Sequence, residues 1–289
     1  MSETTTVVLG AAGMLGSECV RQAPAGVRAI AADLAETDIT KLDSLFAFLR
    51  TSKPRIVINC AAYTAVDPAE NDRASAFRIN SDGARNLAIV CRELGIRLLH
   101  ISTDFVFDGT AKRPYAEFDI TNPRGAYAES KHRGELAIQE IGGDWQIVRT
   151  QWLYGARGKH FVGTIAKLAK ERERLTVVGD QHGCPTCTHD LAPHLWRIAM
   201  DGDGGMYHAS SNGECSWQEF AAEIVKCAGL TTVVDPITTD DWNRMKPGSA
   251  PRPAYSVLAK LHLERTVGSR FPHWREALAG FFSRGDLNQ

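Results

Sequence analysis

Thr6-Val7-Val8-Leu9-Gly10-Ala11-Ala12-Gly13-Met14-Leu15-Gly16-Ser17-Glu18-Cys19-Val20 decides the fold. A short β-rich run, a glycine-rich turn and a helix start follow one another without a spacer, the order that a dinucleotide-binding unit requires. The first glycine, Gly10, permits the tight turn. The second, Gly13, lets the backbone approach a pyrophosphate, and the third, Gly16, lets helix and strand pack closely. The new helix then offers free N–H groups and the positive end of its dipole to an anion. The spacing is G-x-x-G-x-x-G, not the G-x-G-x-x-G of ordinary dehydrogenases.

Outward from this turn the same rhythm repeats. Val27–Ala32, Ile56–Cys60, Arg97–Ser102 and Trp145–Thr150 are short apolar runs suited to buried parallel strands. Helical patterns lie between them, over 41–51, 74–94 and 127–141. Strands alternating with helices predict an α/β fold, a doubly wound parallel sheet of Rossmann type. The expected division is 1–150 for a nucleotide-binding domain and 151–289 for a smaller substrate-binding part, with segments that return to the first. Thr164–Arg174 and Trp217–Ala228 read as amphipathic helices there, and Pro and Gly accumulate at 179–185, 202–205 and 247–253.

The whole-chain numbers agree with that picture. In 289 residues, 33 basic and 34 acidic side chains leave a net charge of −1, with 44% apolar and 23% charged residues. Disorder, a collagen-like fibre and a protein built as a basic nucleic-acid surface are excluded. Seven cysteines without a regular framework indicate free thiols in a reducing compartment. Cys184-Pro185-Thr186-Cys187 has no second Cys or His pair to complete a zinc site. No stretch reaches the ~18 apolar residues of a membrane span. The apolar run 7–15 is broken by glycines and preceded by Glu3 instead of Lys or Arg, so it does not read as a signal peptide. A cytoplasmic protein is expected.

Two further groups carry chemistry. Asp33 ends the second strand pattern, 17 residues past Gly16, where a carboxylate accepts hydrogen bonds from an adenosine ribose and repels a 2′-phosphate. Asp38 either lies beside the adenine with Ile39 or caps the helix that starts near Lys41. Tyr127 and Lys131 stand four apart, on one helix face. A nearby ammonium favours the phenolate, so such a tyrosine can exchange a proton with a carbonyl oxygen while hydride moves at carbon. Ser102-Thr103-Asp104 sits at the carboxyl end of the fourth strand pattern, the edge at which such sheets bind ligands.

Glycine turn, strand-end hydroxyl and YxxxK together resemble the extended short-chain dehydrogenase/reductase superfamily. The finer text is similar to its dTDP-4-dehydrorhamnose reductase family. The likeness is carried by 59–67 (NCAAYTAVD), 102–109 (STDFVFDG), 149–155 (RTQWLYG), 179–186 (GDQHGCPT) and 252–258 (RPAYSVL), and it spans about 6–282. It implies NAD(P)H-dependent reduction of the C4 ketone of a dTDP-6-deoxy-4-ketohexose, toward dTDP-L-rhamnose. Tyr127 would be the proton donor, Lys131 would hold the nicotinamide ribose and lower the tyrosine's pKa, and Thr103 would tune the transfer. Gly13, Met14 and Leu15 would lie under the pyrophosphate, Asp33, Asp38 and Ile39 at the adenosine end, and Ala62, Tyr63 and Thr64 along the cofactor channel. Thr103, Asp104 and Trp152 would touch the nucleotide-sugar. Apart from the resemblance, one diphosphate needs only a few local donors, of which Arg252 is an example. Asn80 would serve a proton relay or cap a helix.

The pattern is not followed everywhere. Phe105 replaces a tyrosine, Ala128 a glycine, and Leu34 a basic residue that in relatives can meet a 2′-phosphate. With Asp33 beside it, Leu34 leans the cofactor toward NADH over NADPH. The resemblance also allows a homodimer, and Mg²⁺ at a subunit contact, but only Glu18 of its carboxylates matches and no metal ligand is assigned. Two alternatives stand beside the leading one: a reductase of another dTDP-4-keto-6-deoxyhexose epimer, and a non-catalytic nucleotide-binding subunit resembling the regulatory subunit of methionine adenosyltransferase.

Overall fold

A computed structural model describes residues 3–268 and 270–288. Its centre is a six-stranded parallel sheet. The strands are β1 (Thr4–Leu9), β2 (Val27–Ala32), β3 (Ile56–Asn59), β4 (Arg97–Thr103) and β5 (Trp145–Thr150), with Gly205–His208 as the sixth, in the order β2-β1-β3-β4-β5-(205–208). The order reverses between β1 and β3, so the crevice beyond their carboxyl ends is the place where such a sheet binds ligands. The helices that cover it are α1 (Met14–Arg21), α2 (Leu42–Ser52), α3 (Val66–Asn71), α4 (Arg73–Phe77), α5 (Gly83–Leu94) and α6 (Ala126–Ile141). Both faces are apolar for that reason. Val7, Leu9, Val57 and Leu98 turn toward α2 and α5, while Val8, Ile58, Leu99 and Val148 turn toward α1 and the helix Thr188–Asp201.

The first five strands fall where their apolar runs place them, and the sixth comes from the C-terminal part. Tyr207 pairs with Val148 and His208 with Arg149. A separate apolar cluster around Tyr154, Phe220, Trp274 and Phe281 belongs wholly to residues beyond 150. Among the described residues no helix is long and apolar enough to cross a membrane.

Three local readings change. The helix expected over 164–174 is Phe161–Glu171, and Arg174–Val178 is a strand paired with Val233–Ile237. Glu-Arg-Glu-Arg is good helix-forming sequence, but the Thr-Val-Val that follows it prefers a pleated, half-buried surface. The helix over 74–94 is interrupted by a π-turn, Arg78–Asp82, which packs hard against α6. A side chain at Gly134 would put its Cβ 2.2 Å from the Asn80 carbonyl oxygen. Asp38 does not cap α2, whose N-cap is Lys41; its carboxylate instead accepts from the Thr40 amide at 2.9 Å and hydroxyl at 2.7 Å.

Candidate active site

The glycine turn builds one wall of the crevice. Gly10 has φ +72°, and a Cβ there would lie 2.7 Å from the Ala61 nitrogen of the neighbouring strand's loop. A Cβ on Gly16 would sit 2.1 Å from the Gly10 carbonyl oxygen, so helix and turn approach as closely as glycine allows. Gly13 is the N-cap of α1 and brings no side chain to satisfy the first-turn N–H groups. They are left for an anion.

This cradle opens into a cleft of about 1040 Å³. Gly10, Gly13, Met14, Leu15 and Gly16 line one end, with Asp33, Leu34, Asp38 and Ile39 beside them. Ala62 and Thr64 follow along the middle, and Thr103, Asp104, Tyr127, Lys131 and Trp152 form the far end. Every residue singled out in the sequence for cofactor, proton transfer or sugar lines this cleft except Asn80 and Tyr63. That ring packs with Ala69, Ala76, Ala126 and Tyr127 behind the wall. Asn80 holds its backbone, accepting from the Tyr63 N–H at 2.8 Å and donating to the Tyr63 carbonyl at 3.0 Å and the Ser130 hydroxyl at 2.9 Å. Asn80 therefore sits inside the π-turn as a brace and caps no helix. A smaller cavity of about 660 Å³ at the opposite strand ends, among Arg50, Lys53 and Arg97, contains none of the motif residues.

At the adenosine end, Asp33 Oδ2 accepts from the Ala12 N–H at 2.7 Å, tying the second strand to the glycine turn. Lys41 and Arg78 also line the cleft there. Neither was legible in the sequence, because one lies at a helix start and the other in the π-turn.

The reactive end is set by α6 lying across β4. Burial pushes the Tyr127 phenol up to about 12, with the neighbouring Thr103 hydroxyl pulling it back and Asp104 adding to the rise. Here the structure departs from the expected lowering by Lys131. The Lys131 Nζ donates to the Ile101 carbonyl at 2.6 Å, and its own burial takes it down to about 8. Its positive charge is thus spent on β4, away from the phenol. Asp104 is buried beside the hydroxyls of Thr103 and Ser256, and desolvation lifts it to about 7. Phe105 meets the Tyr127 ring edge-on, centroids 5.8 Å apart. Ser102 Oγ and Thr150 Oγ1, buried on the same edge, have no hydrogen-bond partner, an arrangement that calls for a polar ligand. A buried Glu135–Arg149 pair, with N–O distances of 2.9 and 2.7 Å, locks α6 to β5 behind them.

The mouth of the cleft comes from the C-terminal part. Trp152 has φ +47°, a left-handed conformation that costs a bulky residue of order 1–2 kcal/mol. It is held there from both sides. Its ring lies over Gly183, where any Cβ would come within 2.5 Å, and stacks on Trp217 with centroids 3.5 Å apart at 10°. Trp217 opens the helix Trp217–Cys227, whose start is fixed by a Ser216–Glu219 capping box. The sequence marked it only as a helix residue, because its partner is 65 positions away. Arg252 pairs with Asp67 at 2.9 Å, and both Arg252 and Lys159 line the cleft.

The carboxylate of Glu18 is taken by Arg21, Gln22 and, at 3.1 Å, His189. Among the described residues no group of three or more His, Cys, Asp or Glu could hold an ion. Cys184 and Cys187 are buried and free, with Cys184 Sγ 3.0 Å from the Ser211 carbonyl oxygen.

Residues 4–286 match the family model described as the RmlD substrate binding domain. A dTDP-4-dehydrorhamnose reductase of Burkholderia thailandensis is 39% identical over 98% of this chain and 99% of its own. The crystal structure of a dTDP-4-dehydrorhamnose reductase from Clostridium acetobutylicum superposes with a TM-score of 0.93, at 40% identity over 97% of this chain and 99% of that one. The Bacillus anthracis dTDP-4-dehydrorhamnose reductase, solved in complex with NADP, superposes with a TM-score of 0.92, at 37% identity over 98% of this chain and 100% of that one.

Proposed function

The chain belongs to the RmlD substrate-binding-domain family, that of the dTDP-4-dehydrorhamnose reductases, and from that premise we propose that it reduces the C4 ketone of dTDP-4-dehydro-L-rhamnose to dTDP-L-rhamnose with a reduced nicotinamide cofactor. The observation that carries the reading is the single cleft joining an uncapped glycine cradle to a buried Tyr127–Lys131–Thr103 cluster. The chain is an NAD(P)-dependent oxidoreductase on this account.

The residues present fit the cofactor: the cradle takes a pyrophosphate, Asp33 and Asp38 take the adenosine end, and the partnerless Ser102 and Thr150 hydroxyls take polar atoms at the other. When bound, the nicotinamide supplies the hydride. Tyr127, kept protonated at neutral pH by its burial, gives its proton to the C4 oxygen as charge develops there. The Thr103 hydroxyl hydrogen-bonds the same oxygen, and Lys131 holds the ribose hydroxyls. Asp104 accepts from a sugar hydroxyl. The Trp152–Trp217 stack closes a flat apolar wall over the nucleotide-sugar and excludes water, while Arg252 and Lys159 answer the diphosphate charge. A few local cations suffice for one diphosphate, which reconciles an anionic substrate with a net charge of −1.

The test is oxidation of NADH or NADPH on addition of freshly made dTDP-4-dehydro-L-rhamnose, with the product identified as dTDP-L-rhamnose. No turnover above a Tyr127→Phe control would sink the reading in favour of a non-catalytic subunit. Turnover only with another 4-keto epimer would redirect it to that sugar. The seven free thiols suit a reducing cytoplasm.

The proposed cofactor choice leans to NADH, because an Asp33 carboxylate at the ribose would repel a 2′-phosphate. Asp33→Ala removes that repulsion, leaving Lys41 and Arg78 on the same end of the cleft. The NADPH-to-NADH ratio of kcat/KM is expected to rise about tenfold, the effect of about 1.4 kcal/mol. An unchanged ratio takes Asp33 out of the ribose site. Trp152→Ala keeps the Cβ, and with it the left-handed strain, but strips one indole from the stack. It should raise KM for the dTDP-sugar roughly tenfold or more, the scale of a lost aromatic contact. Cofactor KM should hardly move, and equal losses of both would instead mean a general loss of fold.

A further inference from the structure

Strand pairing places three buried polar side chains in a row beneath the cofactor cleft. β3 and β4 are parallel neighbours with Asn59 opposite His100, and α6 brings Lys131 down onto β4. The Ala61 N–H donates to Asn59 Oδ1 at 3.1 Å, and Asn59 Nδ2 lies 2.9 Å from His100 Nδ1. His100 Nε2 lies 3.3 Å from Lys131 Nζ. Asn59 and His100 are each 1% exposed and Lys131 2%.

The donors in this row are fixed from one end. A backbone N–H can only donate, so Ala61 holds the Asn59 amide with its oxygen turned toward it and its NH₂ turned toward His100. His100 Nδ1 must then accept. A neutral imidazole carries its one proton on the other nitrogen, so Nε2–H is aimed at Lys131. An N–H aimed at Nζ suits the lone pair of an amine and opposes the hydrogens of an ammonium.

We infer that Asn59 and His100 are positioning residues, a one-way hydrogen-bond chain anchored at the Ala61 N–H that favours the neutral form of Lys131 and so sets the lysine's affinity for a proton. The inference rests on the assignment of Lys131 to the reduction. Its consequence is chemical: a lysine that titrates near the working pH passes a proton in either direction with little loss of driving force. Burial of Lys131 acts in the same direction, whereas the charged groups facing it do not. Glu135 on α6 and Cys60 at the end of β3 both favour the ammonium, and Glu135 is already paired with Arg149. Tyr127, one turn earlier on α6, stays neutral. Burial also holds His100 well below its ordinary value, so the ring chooses a tautomer without charging.

The measurement is the NMR titration of the Lys131 Cε resonance in protein carrying ¹³C-lysine, assigned by its loss in Lys131→Met. In Asn59→Asp the new carboxylate accepts from both the Ala61 N–H and His100 Nδ1–H. The ring proton turns around, and Nε2 offers its lone pair to the ammonium. The Lys131 midpoint is expected to rise by about one unit or more, a tenfold gain in proton affinity. His100→Gln, whose amide can keep the same donor direction, should titrate like the wild type. Asn59→Asp combined with His100→Leu has no ring to turn and should lose most of the rise. An unmoved midpoint in Asn59→Asp overturns the proposal, as does a full rise in the double variant, which would make it a direct effect of charge. Should Asn59→Asp fail to fold, His100→Met against His100→Gln reads the same donor without adding charge: Gln keeps an N–H aimed at Nζ, and Met removes it and should raise the Lys131 midpoint, against the direction of its added desolvation. Equal midpoints in that pair would likewise defeat the idea. Since the lysine is read without turnover, this outcome is separable from whether the protein reduces a dTDP-sugar.

Discussion

Tyr127→Phe is expected to lower kcat for the dTDP-4-keto sugar by roughly 10²- to 10⁴-fold, the range that a positioned general acid contributes. The substitution removes one oxygen and keeps the ring, so the edge-on contact with Phe105 and the packing beside Tyr63 survive. Folding should therefore be nearly unchanged, and cofactor binding, followed by quenching of protein fluorescence, should stay close to wild type. Because burial keeps the phenol protonated to about pH 12, no other state of Tyr127 competes near neutrality, and the whole loss belongs to the missing proton. The check is the rate at which reduced nicotinamide absorbance disappears under saturating sugar. A variant with wild-type kcat would assign the proton to another group, for which the neighbouring Thr103 and Asp104 are the candidates.

Asp104→Asn should move stability and activity in opposite directions. Asp104 is fully buried, and its carboxyl is lifted from the ordinary range near 4 to about 7 by desolvation, with hydroxyls and no cation for neighbours. A raised carboxyl stabilises the fold only while it is protonated. Its contribution is complete at pH values below the unfolded pKa and is lost as pH rises through about 7. Three units correspond to roughly 4 kcal/mol of stability given up between pH 4 and pH 8. The amide cannot ionise, and it can donate to the Thr103 and Ser256 hydroxyls. The variant should therefore melt several degrees above wild type at pH 8, with the gap closing toward pH 5. At the same time it loses a charged acceptor for a sugar hydroxyl. Such hydrogen bonds are worth about 1.5–3 kcal/mol, or about 10- to 100-fold in kcat/KM. A melting temperature that rises without loss of activity would leave Asp104 as a purely structural burden. Parallel losses of both would show that the amide does not fit.

Several features were legible in the sequence because each is a local requirement. The turn from Gly10 to Gly16 needs glycine for reasons internal to a strand, a turn and a helix, and the structure shows Gly10 in a left-handed conformation and Gly16 in contact with the turn. Tyr127 and Lys131 share a face because a helix has 3.6 residues per turn. What the lysine does with that face was not legible. Four-residue spacing does not reveal that β4 passes beneath, presenting the Ile101 carbonyl and the His100 ring. Similarly, Tyr63 was placed along the channel from its motif, yet its ring packs with Ala69, Ala76 and Ala126, and Asn80, on a separate π-turn, holds its backbone.

Patterning within short windows thus determined, without any coordinates, that the chain folds as alternating strands and helices and that a nucleotide cradle follows β1. It also determined that hydroxyl, carboxyl, phenol and amine stand at strand ends and on one helix face. These are consequences of backbone geometry with ranges of a few residues. Only the tertiary structure decided which groups are desolvated and which way their hydrogens run. It sank Asp104, Tyr127 and Lys131 together and so moved each toward its neutral form. It set Trp152 against Trp217 across 65 residues and put Asn59 opposite His100 across 41. Burial and hydrogen-bond direction are properties of everything that packs around a group, and a strand register or a helix crossing is not written at the position it affects.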